Sequence, residues 1–366
     1  MRSWLIVMFL FLARSNYVKL PSENWTSAKT SLLLPLEDSS RCCNIQTMPK
    51  GNKEILSQLR EKIEEAILPL ITSDYVFWGL PYYDNPGDTL IWEGGLNLFR
   101  KCKFKCVGTC GWNNYRHVPL KKDTVILIIG GGFFGDVWRK AWDNVMDTIT
   151  LYPDNPIVIL PQSIHYNDTR IATEDASRLS VLKHLTICTR DSSSFQFARD
   201  YFQNQILLCP DLAFYCDVAK LLRYSIPEKE RILFLKRNDK EQPAIIPDVK
   251  GGNVDYRDWP IMEGKFSFPD RVLSRIIHDL TRMNVNHKLD CVIAAIYKHF
   301  KKNVTIKDAV GFISAYRIVY TTRLHVMILS FLLNKEIYIV DNSYGKVSGC
   351  YKAWLSDCKT VHLIDE

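Results

Sequence analysis

Short, continuously apolar runs that alternate with helical patterns constrain this chain most. "DYVFWGL" at 74–80, "TVILII" at 124–129, "PIVIL" at 156–160, "LTIC" at 185–188 and "ILLC" at 206–209 are strand-length and rich in β-branched or aromatic residues. Between them, "DTLIWEGGLNLFRK" and "DVWRKAWDNVMDTI" carry apolar residues at helical spacing. Strands without a polar face must be covered on both sides, so the expected fold is α/β with mostly parallel sheet. After a polar, proline-bearing stretch near 224–229 the pattern restarts with "RILFL". Helices over "DRVLSRIIHDLTRM" and "LDCVIAAIYKHFKK" follow, and then "RIVYTTRLHVMILSFLLNKEIYIV" reads as strand, helix, strand. Two Rossmann-like halves facing a cleft, 71–224 and 225–366, account for this order.

A chain of 366 residues supports a core of that size. Its net charge of +7 lacks Lys/Arg blocks with interleaved aromatics, so no nucleic-acid partner is expected, and a small polyanion or acidic glycan fits better. At the start, Arg2 precedes an apolar run from Trp4 to Ala13. Such a run is too short for a bilayer, which needs about 20 residues, and it has the layout of a signal peptide or short anchor over 1–15. Residues 16–70 then read as a stem ending in an amphipathic helix, "NKEILSQLREKIEEAILPLI". Sequons at Asn24, Asn167 and Asn303 and eleven cysteines suit a secretory compartment with several disulfides. Residence in the Golgi lumen is expected, with a cytoplasmic location the alternative. Cys102, Cys106 and Cys110 lack zinc-pair spacing, so local disulfides or buried thiols are expected there and no metal.

The chemistry-bearing residues lie at strand ends. In "YTTRLHVMIL", Arg323 and His325 occupy a strand-to-helix turn, where helix N–H groups attract anions. The competing readings are an arginine paired with a carboxylate and a histidine capping the helix. "ICTRDSSS" repeats the design, so Arg190 is a second anion ligand or else forms a surface pair with Asp191. "GGGFFG", Gly130 to Gly135, has dinucleotide-fingerprint spacing, but the next strand ends in Pro161-Gln162-Ser163 without the acidic residue that a ribose needs. Its glycines instead let backbone approach a ligand or a helix, with Asp136 capping the helix that follows. "DNPGD" places Asn85 and Asp88 at a helix entry, Asp88 being an N-cap or a carboxylate exposed to an acceptor.

"NPGD", "GGGFFGD", "LPQSI", "CTRDSSS", "CPDLAF" and "TTRLHVMILS" followed by "DNSYGK" together resemble polysaccharide pyruvyl transferases, over roughly 75–355. The resemblance implies a glycosyltransferase-B-like architecture. It also implies transfer of a pyruvyl group from phosphoenolpyruvate to two hydroxyls of a galactose- or other hexose-containing glycan, forming a cyclic ketal without a cofactor. Arg323, Leu324 and His325 match the family's donor-binding triplet, with Arg190 and Lys346 as further basic residues. His325 and Arg323 are the expected catalytic pair, since an imidazole exchanges protons near neutral pH. On the acceptor side the candidates are Asn85, Asp88, Gly131, Gly132, Asp136 and His165. Two other functions compete: a nucleotide-sugar glycosyltransferase on the same scaffold, and a non-catalytic secreted glycan-binding protein.

Overall fold

The computed structural model describes residues 50–112, 115, 117–237, 249, 253–284, 287–341 and 345–364. The leader, most of the stem and the Asn24 sequon lie outside the described residues.

The first sheet contains β1 (Tyr75–Leu80), β2 (Cys106–Gly111), β3 (Val125–Ile128), β4 (Gly131–Gly135), β5 (Ile157–His165), β6 (Leu185–Thr189) and β7 (Gln205–Leu208). Its order is β2-β1-β3-β5-β6-β7, with β4 beside the second half of β5. The second contains β8 (Lys229–Leu235), β9 (Val254–Arg257), β10 (Tyr316–Thr321), β11 (Glu336–Ile339) and β12 (Val361–Leu363), in the order β12-β11-β10-β8-β9. Every ladder is parallel, as continuous apolar strands require.

Helices cover both faces, and one apolar core runs from Leu56 through Leu127, Phe214 and Leu233 to Val361, so both sheets share it. Helix Leu324–Leu332 is buried in that core except at His325, which explains its lack of a polar face. A second core covers the other face of the first sheet, around Trp142, Ile159 and Phe202.

Three expectations change. Helix Lys50–Ile67, assigned above to the stem, buries Leu56, Leu59, Ile63 and Ile67 in the shared core. Arg60 also donates to the carbonyls of Phe214 and Cys216 at 3.2 and 2.5 Å. It is therefore part of the folded body. Second, the glycines of "GGGFFG" bring backbone against a strand as well as the cavity, because Gly131–Gly135 extends as β4 along β5. Gly135 has φ 132°, and a Cβ built on it would lie 1.8 Å from the His165 carbonyl oxygen, so only glycine permits this approach. Third, the nine cysteines among the described residues are free thiols, five of them buried, so the expected disulfides are not found there. Cys106 is exposed on β2 and Cys102 and Cys110 are partly so, and among the described residues no cluster of ligating side chains could hold a metal. No described helix is long and apolar enough to cross a membrane.

Candidate active site

Residues just past the C-terminal ends of strands from both sheets line one cavity of about 360 Å³. Loops after parallel strands supply ligand sites in α/β folds because backbone N–H groups and helix N-termini open there. Arg190 follows β6, Arg237 follows β8 and Arg323 follows β10, so three arginines enter from equivalent positions.

Arg190 is 1% exposed. Its Nε donates to Ser163 Oγ at 2.9 Å and its Nη1 to Asp211 Oδ2 at 2.7 Å. The surface pair with Asp191 is therefore corrected: Asp191 caps helix Ser192–Tyr201 through Ser194 N, and the arginine's partner is Asp211. His325 Nε2 lies 3.3 Å from both Asp211 Oδ2 and Arg190 Nη1. Burial alone would raise the Asp211 carboxyl, but His325, Arg190 and the Ala213 N–H outweigh it and hold the group well below the usual carboxylate range. His325 does not cap its helix. Its ring packs on Gly87, where a Cβ would come within 2.3 Å of Nδ1.

Arg323 is the N-cap residue of helix Leu324–Leu332 and donates bidentately to Asp258, Nε to Oδ1 at 2.7 Å and Nη2 to Oδ2 at 2.6 Å. The carboxylate pairing weighed for it from sequence is thus present, and the guanidinium still forms part of the cavity wall beside Leu324. Lys346 opens helix Lys346–Trp354 and is buried. A Cβ built on Gly132 would meet Arg190 Nη2 at 3.1 Å and Lys346 Nζ at 3.6 Å. Gly132 therefore leaves room for two cations to converge.

Beside His325, Asn85 caps helix Pro86–Phe99, accepting from Gly87 N at 2.9 Å and Asp88 N at 3.4 Å. Asp88 is consequently not the cap, and its Oδ2 accepts from Tyr83 Oη at 2.8 Å and Asn85 Nδ2 at 2.6 Å. Burial together with the Asp88 charge raises the Tyr83 hydroxyl well above its ordinary range, so it stays a donor. The loop leading into this helix is held from the second half. Tyr297–Lys301, expected as plain helix, winds as a π-helical turn, and Lys301 Nζ reaches Asp84 at 2.8 Å, Asp270 at 2.6 Å and Ser274 at 2.8 Å.

Three sequence candidates fall elsewhere. Asp136 does not cap helix Arg139–Ile149 and instead accepts from Asn167 N, Asn167 Nδ2 and Asp168 N. His165 lines a separate cavity of about 120 Å³, which shares Lys346 with the main one. Gly131 serves the β4–β5 pairing. Sequence reasoning missed Arg237, Asp211, Asp258 and the aromatic wall of Trp112, Tyr115, Trp138 and Trp259. Arg237 had a usable signal, since it stands two residues beyond a strand end, as Arg323 does, while Arg190 stands one beyond.

The family model for polysaccharide pyruvyl transferase matches residues 85–344. A Bacillus subtilis (strain 168) protein named "Putative pyruvyl transferase EpsO" is 28% identical over 318 residues, covering 86% of this chain and 95% of that protein. Pyruvyl transferase 1 of Schizosaccharomyces pombe is 24% identical over 307 residues, covering 76% and 69% respectively. The crystal structure of an uncharacterized Klebsiella pneumoniae protein, KP1_0663, superposes with a TM-score of 0.54 at 17% identity, covering 87% of this chain and all of that one, a likeness of fold. Because the family match spans most of the chain and includes every strand-end arginine of the cavity, this chain belongs to the polysaccharide pyruvyl transferase family.

Proposed function

We propose that the protein transfers the pyruvyl group of phosphoenolpyruvate to a hexose of a glycan and closes a cyclic ketal, in a glycosyltransferase-B-like cleft between its two sheets. The observation that carries this reading is the convergence of Arg190, Arg237, Arg323, Lys346 and His325 on one cavity. Arg190 and Arg323 each pair with an aspartate, Asp211 and Asp258, beside the cavity. Phosphoenolpyruvate presents a carboxylate and a phosphate, which suit a guanidinium edge and an ammonium placed side by side, as Arg190 Nη2 and Lys346 Nζ are at Gly132.

His325 would protonate the vinyl carbon, leaving positive charge on the adjacent carbon, which one sugar hydroxyl attacks. Departure of phosphate and attack by the second hydroxyl complete the ketal. Of the two hydroxyl protons, one ends in the new methyl group and the other on phosphate, so the reaction balances without a further cofactor. The test is incubation with phosphoenolpyruvate and a panel of galactosides, read by mass spectrometry. A ketal mass gain with equimolar phosphate release supports the reading, and transfer from a nucleotide sugar in its place overturns it. Residence in the Golgi lumen belongs to the same proposal, since glycan acceptors are assembled there.

A further inference from the structure

The attacking acceptor hydroxyl must lose a proton, and a base separate from the proton donor His325 lets that loss accompany the attack without first resetting the imidazole. Carboxylates at the cavity are the available bases, and most are engaged. Asp211 and Asp258 neutralise arginines, and Asp84 accepts from Lys301. Asp88 differs. Among the described residues both side-chain hydrogen bonds to its carboxylate fall on Oδ2, from Tyr83 and Asn85, and none on Oδ1, and the residue lines the cavity. Asn85 already caps the helix, so the carboxylate at 88 is not needed as the cap. Beside it Tyr83 stands edge-on to Trp112, with ring centroids 5.9 Å apart, and Trp138 is 39% exposed on the same cavity. Such aromatic faces suit a sugar ring, which has apolar C–H faces and a polar rim.

We propose that Asp88 is the catalytic base that removes the proton from the attacking hydroxyl of the sugar. The donor and the base then stand on the first turns of two helices, Leu324–Leu332 and Pro86–Phe99, which touch where His325 packs on Gly87. In the step, the O–H bond breaks toward Asp88 Oδ1 and the oxygen pair forms the bond to the cationic pyruvyl carbon. Asp88 then returns the proton to the leaving phosphate. This inference rests on the pyruvyl-transfer reading.

The experiment compares the full-length protein with Asp88→Asn and Asp88→Ala, measuring phosphoenolpyruvate affinity by calorimetry and transfer to a galactoside. Expected for Asp88→Asn is a kcat lower by roughly 10²–10⁴ with donor Kd and both KM values within about threefold. Added formate should restore part of the lost rate in Asp88→Ala, which a purely structural role would not allow. Asp88→Asn retaining more than about a tenth of the kcat, with the parent active, overturns the assignment alone. A variant that loses donor binding together with its melting transition also overturns it, by making the residue structural. A parent protein that moves nothing from phosphoenolpyruvate overturns the underlying reading and the base with it.

Discussion

Arg190 and His325 meet on a single oxygen: Asp211 Oδ2 accepts from Arg190 Nη1 at 2.7 Å and lies 3.3 Å from His325 Nε2. Asp211 is fully buried, and its other oxygen accepts from Ala213 N at 2.8 Å. One carboxylate thus joins a residue of the first half to one of the second and fixes the orientation of the imidazole.

Asp211→Asn should therefore be costly for folding as well as for turnover. Removing one partner of a buried ion pair costs about 3–5 kcal/mol, because the remaining charge is left without compensation. The pH dependence follows from the direction of the shift. Asp211 is held below its unfolded value, so its contribution is complete above the unfolded carboxylate range, about pH 4, and is lost as pH falls toward the folded value. Urea melts of parent and variant should differ most at pH 7 and converge below about pH 4. A gap that stays constant across this range would exclude an ionised Asp211 as its source.

Arg323 and Asp258 form a second pair that separates stability from donor binding. Asp258 is 4% exposed, so Arg323→Ala should lower stability by about 3–5 kcal/mol as well as weaken phosphoenolpyruvate binding roughly tenfold. Arg323→Ala combined with Asp258→Ala removes the stranded charge. Much of the stability should return while donor binding stays weak. If the double variant regains donor affinity, Arg323 matters only as the partner of Asp258.

The sequon at Asn303 should carry no glycan in folded protein from a eukaryotic host. Asn303 lies in helix Lys302–Ser314, where its Nδ2 donates to His299 O at 2.8 Å, and Thr305 is 4% exposed. Asn167, by contrast, is exposed before helix Thr169–Ser180. After glycosidase treatment, Asn303→Gln should show the same mobility shift as the parent. A smaller shift in the variant would show that Asn303 is modified.

The strands and two of the three strand-end arginines were legible because parallel strands buried on both faces must be apolar throughout, and because Arg190 and Arg323 each break such a run at its end. The partners were not legible. Asp211 and Asp258 sit 21 and 65 positions from their arginines, and only the tertiary fold pairs them. Asp136 was misplaced because an aspartate before a helix reads as a cap, whereas here the chain first extends as β4 and brings it to the N–H groups of Asn167 and Asp168. The edge strands β2, β9 and β12 are short or polar, so local pattern could not mark them.

Gly87→Ala is the sharpest test of how the two halves meet. Gly87 is the second residue of helix Pro86–Phe99, where alanine would ordinarily favour the helix by roughly 0.5–1 kcal/mol, so backbone propensity gives no reason to expect unfolding. The added Cβ would lie 2.3 Å from His325 Nδ1 and 2.8 Å from its Cγ, closer than any contact allows. The ring must swing away and lose its position against Asp211. The atoms nearest the added Cβ all belong to His325, and none to Arg190 or Lys346, which meet at Gly132. Turnover should consequently fall by roughly 10²–10⁴, as expected for loss of the proton donor, while the affinity for phosphoenolpyruvate changes by less than about threefold. If Gly87→Ala keeps full turnover, the contact between Gly87 and His325 does not position the proton donor, and the imidazole works from another rotamer.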